Sequence, residues 1–246
     1  MPEDATAADA AEPGTRAFER VLQWVDERVL SGELTVGDRL PPERELARLL
    51  GVSRAAVREA VRTLQAQGVV RSAVGTGAAA GTTITAVSAN ALTRLLRLHV
   101  ALASFPLPDV VEVRISLERL SARLAAQHAT SDDLAAMRRA LDVMAEPGID
   151  RERFNDADTA FHVAVAAAAG NLLAADMTVA IRESMRLPIL DRFRRLRAWE
   201  DTVGDLRRDH EEIHAALAGG HAEEAERLME RHIRSAWDTL TAAEPA

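Results

Sequence analysis

Leu40-Pro41-Pro42-Glu43-Arg44-Glu45-Leu46-Ala47-Arg48-Leu49-Leu50-Gly51-Val52-Ser53-Arg54-Ala55-Ala56-Val57-Arg58-Glu59-Ala60 holds two helix starts separated by one turn. Proline tolerates the first helical turn, so Pro41-Pro42 opens a short helix from Glu43 to Leu50, with Leu46, Leu49 and Leu50 apolar. Gly51-Val52 makes the turn, and Ser53 is a good N-cap for a helix running to about Gln67, where Gly68 stops it. Ala56, Val57, Ala60, Val61 and Leu64 form the inward face of that helix. Upstream, a helix from about Arg16 to Leu30 turns Phe18, Val21, Leu22, Val25 and Val29 inward. Downstream, Val69 to Val74 and about Thr82 to Val87 flank the turn Gly75-Thr76-Gly77, which reads as a hairpin, or wing, beside a helix-turn-helix.

Beyond Ser88 the pattern is wholly helical, with segments near 89–103, 108–128, 131–145, 150–169, 171–195, 198–218 and 221–242. Ser131-Asp132-Asp133, Asn171 and Gly219-Gly220 punctuate them. The fold class is therefore mainly α: a winged helix-turn-helix followed by an all-α bundle of six or seven helices. The expected division is a disordered acidic tail over 1–15, a winged unit over 16–86 and a helical unit over 87–244.

With 48% hydrophobic and 28% charged residues, most of the 246-residue chain can build packed cores. No apolar run reaches the roughly 18 residues of a membrane span, and the acidic start is neither a signal nor a transit peptide, so a cytoplasmic protein without membrane contact is expected. The absence of cysteine excludes thiolate metal sites and limits metal ligands to His, Asp, Glu and water. The formal charge of -8 is unevenly spread: Arg16 to Thr85 carries ten Arg against eight acids, whereas the rest of the chain is acidic. Every basic residue is arginine, which suits phosphate and carboxylate recognition.

Within the helical region, Phe154, Asp158, His162, Val165 and Ala169 fall within about 80° on one stripe. A carboxylate and an imidazole facing a core are costly unless they are paired, hydrogen-bonded or metal-bound. His210 shares an inward stripe with Leu206, Ile213 and Leu217, while His232 flanks the stripe of Ala225, Met229, Ile233, Ala236 and Leu240. Imidazole and carboxylate donors suit Zn, Ni, Mn or Fe. Such a site could also activate water, as in a metal-dependent hydrolase, although spacing suggests no general base and no catalytic residue is assigned.

The segment from Leu40 to Val70 resembles the winged helix of GntR-family transcription regulators. That resemblance implies DNA contact by Arg44, Arg54 and Arg58, with Ser53 and the wing-tip residues Gly75, Thr76 and Gly77 near phosphates or the minor groove. The sequence departs from the family at Pro42, where serine is common, and in a wing without a basic tip. The helical region, with Phe154-Asn155-Asp156-Ala157-Asp158-Thr159-Ala160-Phe161-His162, Arg114-Ile115-Ser116-Leu117-Glu118 and the helix start Gly170-Asn171-Leu172-Leu173, resembles the branch related to the fatty-acid-responsive regulator, whose second domain is of the FCD type. The resemblance implies a divalent metal on Asp158, His162, His210 and His232, and Arg114 near a ligand cavity. Arg114 can instead pair with Glu118 one turn away, and Arg186 is a second candidate for holding an effector.

The resulting expectation is a homodimeric repressor of a pseudo-palindromic double-stranded operator, its affinity set by a small carboxylic or sugar acid bound at the metal. In an alternative, the ion itself is the signal.

Overall fold

The computed structural model describes residues 13–73, 81–85, 89–102 and 104–242, which divide between Ala91 and Leu92 into two compact units. Residues 1–12, in the expected acidic tail, and 86–88, at the expected join, lie outside the described residues.

In the first unit, α1 (Pro13–Leu30), α2 (Glu43–Leu50) and α3 (Arg54–Ala66) precede β1 (Val70–Ala73) and β2 (Gly81–Ile84). Helix α1 starts within the segment expected as tail, β1 begins one residue later and β2 one residue earlier than the sequence pattern suggested, and the expected strand residues Val74, Ala86 and Val87 lie outside the described residues. Gly51 has φ +62°, a left-handed conformation that glycine adopts without a Cβ clash, and its N–H caps the carbonyls ending α2. The Ser53 hydroxyl then accepts the Ala56 N–H at 3.1 Å and starts α3.

The hairpin is antiparallel and pairs Val70 with Ile84, both buried against the helices. Gly37 to Leu40 adds a third edge, with Leu40 N–H donating to Thr82 at 2.9 Å and Ile84 N–H to Asp38 at 2.8 Å. Val21, Val25, Leu46, Val57, Val61 and Leu64 complete this core. Val29, read as inward, is 38% exposed, and the apolar Leu49 is 58% exposed, because each lies at the end of its helix, beyond the packed stripe.

The second unit contains all but the first turn of α4 (Ala89–Ala101), then α5 (Leu107–His128), α6 (Ser131–Met144), α7 (Arg151–Ala168), α8 (Leu172–Arg195), α9 (Trp199–Ala218) and α10 (Ala222–Ala242). Polar caps fix the starts: Thr130 and Asp133 form a capping box, Asp150 accepts from Arg153 N–H at 2.8 Å, and Asn171 from Ala174 N–H at 3.1 Å. Helix α5 packs on α7, α8 and α10; α7 packs on α6 and α8, and α9 on α10. Charged residues recur around α8, so its pattern alone does not reveal which face is inside. Pro188 lies within α8, which continues through it to Arg195.

At one end of this bundle Phe154, Phe193 and Trp199 meet edge-to-face with centroids 5.2–5.9 Å apart, and the Trp199 indole N–H donates to Ile149 O at 3.3 Å. No described helix is long and apolar enough to cross a membrane.

Phe154 is fully buried at the centre of the aromatic cluster. Phe154→Ala should therefore lower the stability of the second unit by about 3–5 kcal/mol in urea denaturation, whereas Leu187→Ala, on an exposed side chain, should change it by under ~0.5 kcal/mol.

Candidate metal centre and nucleic-acid interface

Three helices deliver one buried cluster. Asp158 and His162, one turn apart on α7, meet His210 from α9 and His232 from α10, and one donor atom from each lies within 4.8 Å of the others. His210 Nε2 is 3.1 Å from Asp158 Oδ1 and 3.3 Å from His162 Nε2, and His162 Nε2 is 3.7 Å from the same carboxylate oxygen.

Each imidazole has its Nδ1 engaged away from this centre. His210 Nδ1 donates to the Leu206 carbonyl at 2.7 Å, His232 Nδ1 faces Asp209 Oδ2 at 3.4 Å, and His162 Nδ1 sits against Glu118 Oε2. An acceptor at Nδ1 places the ring proton there and leaves the Nε2 lone pair for another partner. Burial pushes His210 down against the opposing pull of Asp158. It pushes His232 down to about 3, reinforced by its neighbour His210, so both rings are neutral at physiological pH. Neutral Nε2 donors and a carboxylate oxygen are the ligands a borderline divalent ion takes, so these residues fit a metal.

Glu118 from α5 and Arg182 from α8 support the cluster from behind. Arg182 is 1% exposed and donates through Nη2 to Asp158 Oδ2, leaving Oδ1 to the histidines. Arg114 Nε donates to Glu118 Oε1 at 2.6 Å, and Glu118 in turn backs His162. Burial alone would raise both carboxyls. Arg114, His162 and Arg182 outweigh it at Glu118, and Arg182, His162 and His210 outweigh it at Asp158, so both stay ionised well below the usual carboxylate range.

Sequence reasoning missed Glu118 as a partner of His162 and missed Arg182 altogether. A usable signal existed for Glu118, an acid on the inward stripe of Val111, Ile115, Ala122 and Ala125. The structure does not bring Arg186 to the cluster. Its guanidinium is one turn beyond Arg182, a third exposed, and paired with Asp156 at the surface. Arg114 does reach the cluster, but through its bond to Glu118.

In the first unit, Arg54 opens α3, Arg58 follows one turn later, and Arg44 is the second residue of α2. All three are exposed, and among the described residues none has an ion-pair partner, so their charges face solvent. The Ser53 hydroxyl is already an acceptor in the α3 cap. Gly75, Thr76 and Gly77 lie outside the described residues.

Residues 17–79 match the profile of bacterial regulatory proteins of the gntR family, and residues 109–235 match the FCD domain. The chain is 32% identical over 215 residues to the HTH-type transcriptional regulator LutR of Bacillus subtilis (strain 168), covering 87% of this chain and 96% of that protein. It is 26% identical over 222 residues to the Glc operon transcriptional activator of Escherichia coli (strain K12), covering 88% and 86%. A solved structure, Streptococcus agalactiae GntR, superposes with a TM-score of 0.54 at 27% identity, covering 89% of this chain and 98% of that one.

Two substitutions probe the centre. His162→Ala should abolish retention of a divalent ion after dialysis, read by elemental mass spectrometry. Glu118→Gln should weaken metal affinity by about 10–100-fold through the orientation of His162 alone, and unchanged affinity would contradict that role.

Proposed function

The chain belongs to the gntR family of bacterial regulatory proteins, with an FCD domain as its second unit, and we propose that a metal-bound organic acid controls its grip on DNA. It is a DNA-binding transcription regulator and not an enzyme. We assign residues 16–86 to DNA reading, and 87–244 to effector binding and dimerisation.

The observation that carries the proposal is the convergence of three imidazole nitrogens and one carboxylate oxygen in the interior of a chain that also bears the winged helix. Asp158, His162, His210 and His232 hold the ion, which supplies a Lewis-acidic point for a carboxylate. Charge favours an anionic ligand as well. Arg114 and Arg182 balance Glu118 and Asp158, so a divalent ion leaves a net positive interior that a small carboxylic or sugar acid neutralises.

On the DNA side, the N-terminal turn of α3 enters the major groove, with Arg54 and Arg58 one turn apart on base edges or phosphates and Arg44 on the backbone. One unit with a charge near +2 holds DNA weakly, so two copies reading the halves of a pseudo-palindrome form the working species. The acid binds the two dispositions of the paired heads unequally and by that difference releases the operator. Such a regulator represses until the acid arrives. The relative named an activator favours the opposite output from the same linkage, and a reporter gene with and without the protein separates the two.

The test starts from duplexes selected out of a random library by the metal-loaded full chain, which should recover two half-sites related by a two-fold axis. Saturating acid should change affinity for that duplex by about 5–150-fold. Arg58→Ala should cost about 1–3 kcal/mol of specific binding with the melting temperature unchanged. An acid that binds without altering operator affinity would refute the linkage. Affinity that follows metal concentration with no acid present would make the ion the signal.

A further inference from the structure

The wing carries no charge where the sequence places its tip: Val74 to Ala80 contains no acid or base, and Arg71 is the only charged residue between Val69 and Ser88. The charge of this sheet lies elsewhere. Val70 of β1 and Ile84 of β2 turn inward, and so does Leu40 on the edge segment. Side chains alternate along a strand, so Arg71, Thr83 and Arg39 point to the opposite, outer face. Thr83 pairs with Arg71 on one side and bridges to Arg39 on the other.

The three residues form one row across the sheet. Paired residues of antiparallel strands lie about 4.5–5.5 Å apart at Cα, which sets the two arginines about 10 Å from each other with Thr83 between them. Both arginines are exposed, and neither guanidinium has an ion-pair or hydrogen-bond partner among the described residues. Exposed arginines of the second unit mostly face a carboxylate, as Arg153, Arg208 and Arg234 do. The Thr83 hydroxyl is also unused among the described residues, whereas those on either side of it along the chain are bonded: Thr82 Oγ1 meets Ser72 Oγ at 2.9 Å, and Thr85 Oγ1 donates to Gly68 O at 2.9 Å. Two free guanidiniums flanking a free hydroxyl on one face make a donor-rich cradle for an anion.

We propose that the row Arg39, Thr83 and Arg71 holds a backbone phosphate of the operator beside the bases that α3 reads, a contact for which the uncharged wing tip has no side chain. The chain path sets its position. Leu40-Pro41-Pro42 leads from the edge segment directly into α2, so the Cα of Arg39 lies within about 18 Å of that of Arg44, and one DNA backbone can meet both. Strand pairing holds Thr83 and Arg71 level with Arg39. The contact carries no base information. It adds affinity that is the same for every sequence and fixes the orientation of the unit on the duplex. It rests on the DNA-reading assignment of this unit.

The experiment is fluorescence-anisotropy titration of the full chain on its selected duplex and on an unrelated duplex of equal length, over about 50–200 mM salt. Arg39→Ala and Arg71→Ala should each reduce the slope of log affinity against log salt by about 0.9, and together by about twice that, while weakening both duplexes by the same factor. Arg153→Ala removes the same charge from the surface of the second unit and should leave the slope unchanged. Arg39→Lys and Arg71→Lys retain a point charge for the phosphate and should keep the slope. Thr83→Val, nearly isosteric, should weaken both duplexes by about 2–12-fold with the slope unchanged.

Slopes for Arg39→Ala and Arg71→Ala equal to that of Arg153→Ala overturn the row. A loss confined to the selected duplex also overturns it, because the residues would then be reading bases rather than phosphate. Arg58→Ala separates the row from the DNA reading itself. Loss of specific binding in that variant, beside unchanged slopes at Arg39 and Arg71, defeats the row alone. A parent chain that binds neither duplex defeats the DNA reading, and the row with it.

Discussion

Asp158 brings a negative charge into the interior of a helical bundle, and the arrangement around it follows from the need to satisfy that charge. One carboxylate oxygen faces His210 and His162, and the other takes Arg182. Taking an ion pair out of water costs several kcal/mol per ion and is recovered only when the remaining donors and acceptors are also met. Glu118 and Arg114 extend the same logic to His162, so a second buried ion pair on α5 lies behind that imidazole. A purely apolar interior would stabilise the bundle at least as well. Retaining so many buried charges is understandable where they hold something, which in the proposed function is a divalent ion.

The same geometry connects binding to regulation. The ligand set draws on α7, α9 and α10, while the supporting carboxylate and guanidinium come from α5 and α8. An ion or acid bound among them interacts with five helices at once, and packed helices respond by discrete shifts rather than by continuous deformation. In the dimer we propose, a bound acid biases one disposition over another, provided that it contacts them differently. The DNA-facing part needs no metal chemistry. Its three exposed arginines sit on short helices fixed by a left-handed Gly51 and a Ser53 cap.

Much of this was legible in the sequence because helical phase is a strong signal. Asp158, His162 and His210 sit on apolar stripes, and a cap such as Asn171 delimits its helix to within a residue or two. His232, which only flanks its stripe, is also buried, since an imidazole is long enough to reach inward from the edge of a helix face. Arg182 was not legible. Arg182 and Arg186 are one turn apart on a helix with charges on every side, and local pattern cannot say which one faces inward. Their partners decide it, and these lie 24 and 30 residues away in sequence, at Asp158 and Asp156. Arg114 was ambiguous for the opposite reason: its i, i+4 partner is local and was visible, but the burial of the pair depends on α8 and α10 packing over α5.

The central claim is that Asp158, His162, His210 and His232 form a metal centre through a carboxylate oxygen and three Nε2 atoms. X-ray absorption spectroscopy at the edge of the bound metal, on the full chain purified without chelator, addresses this most directly. The account predicts a nitrogen and oxygen shell with the outer scattering of three imidazoles and no heavier neighbour. A spectrum without imidazole scattering, or a protein that takes up no divalent ion under these conditions, would contradict it.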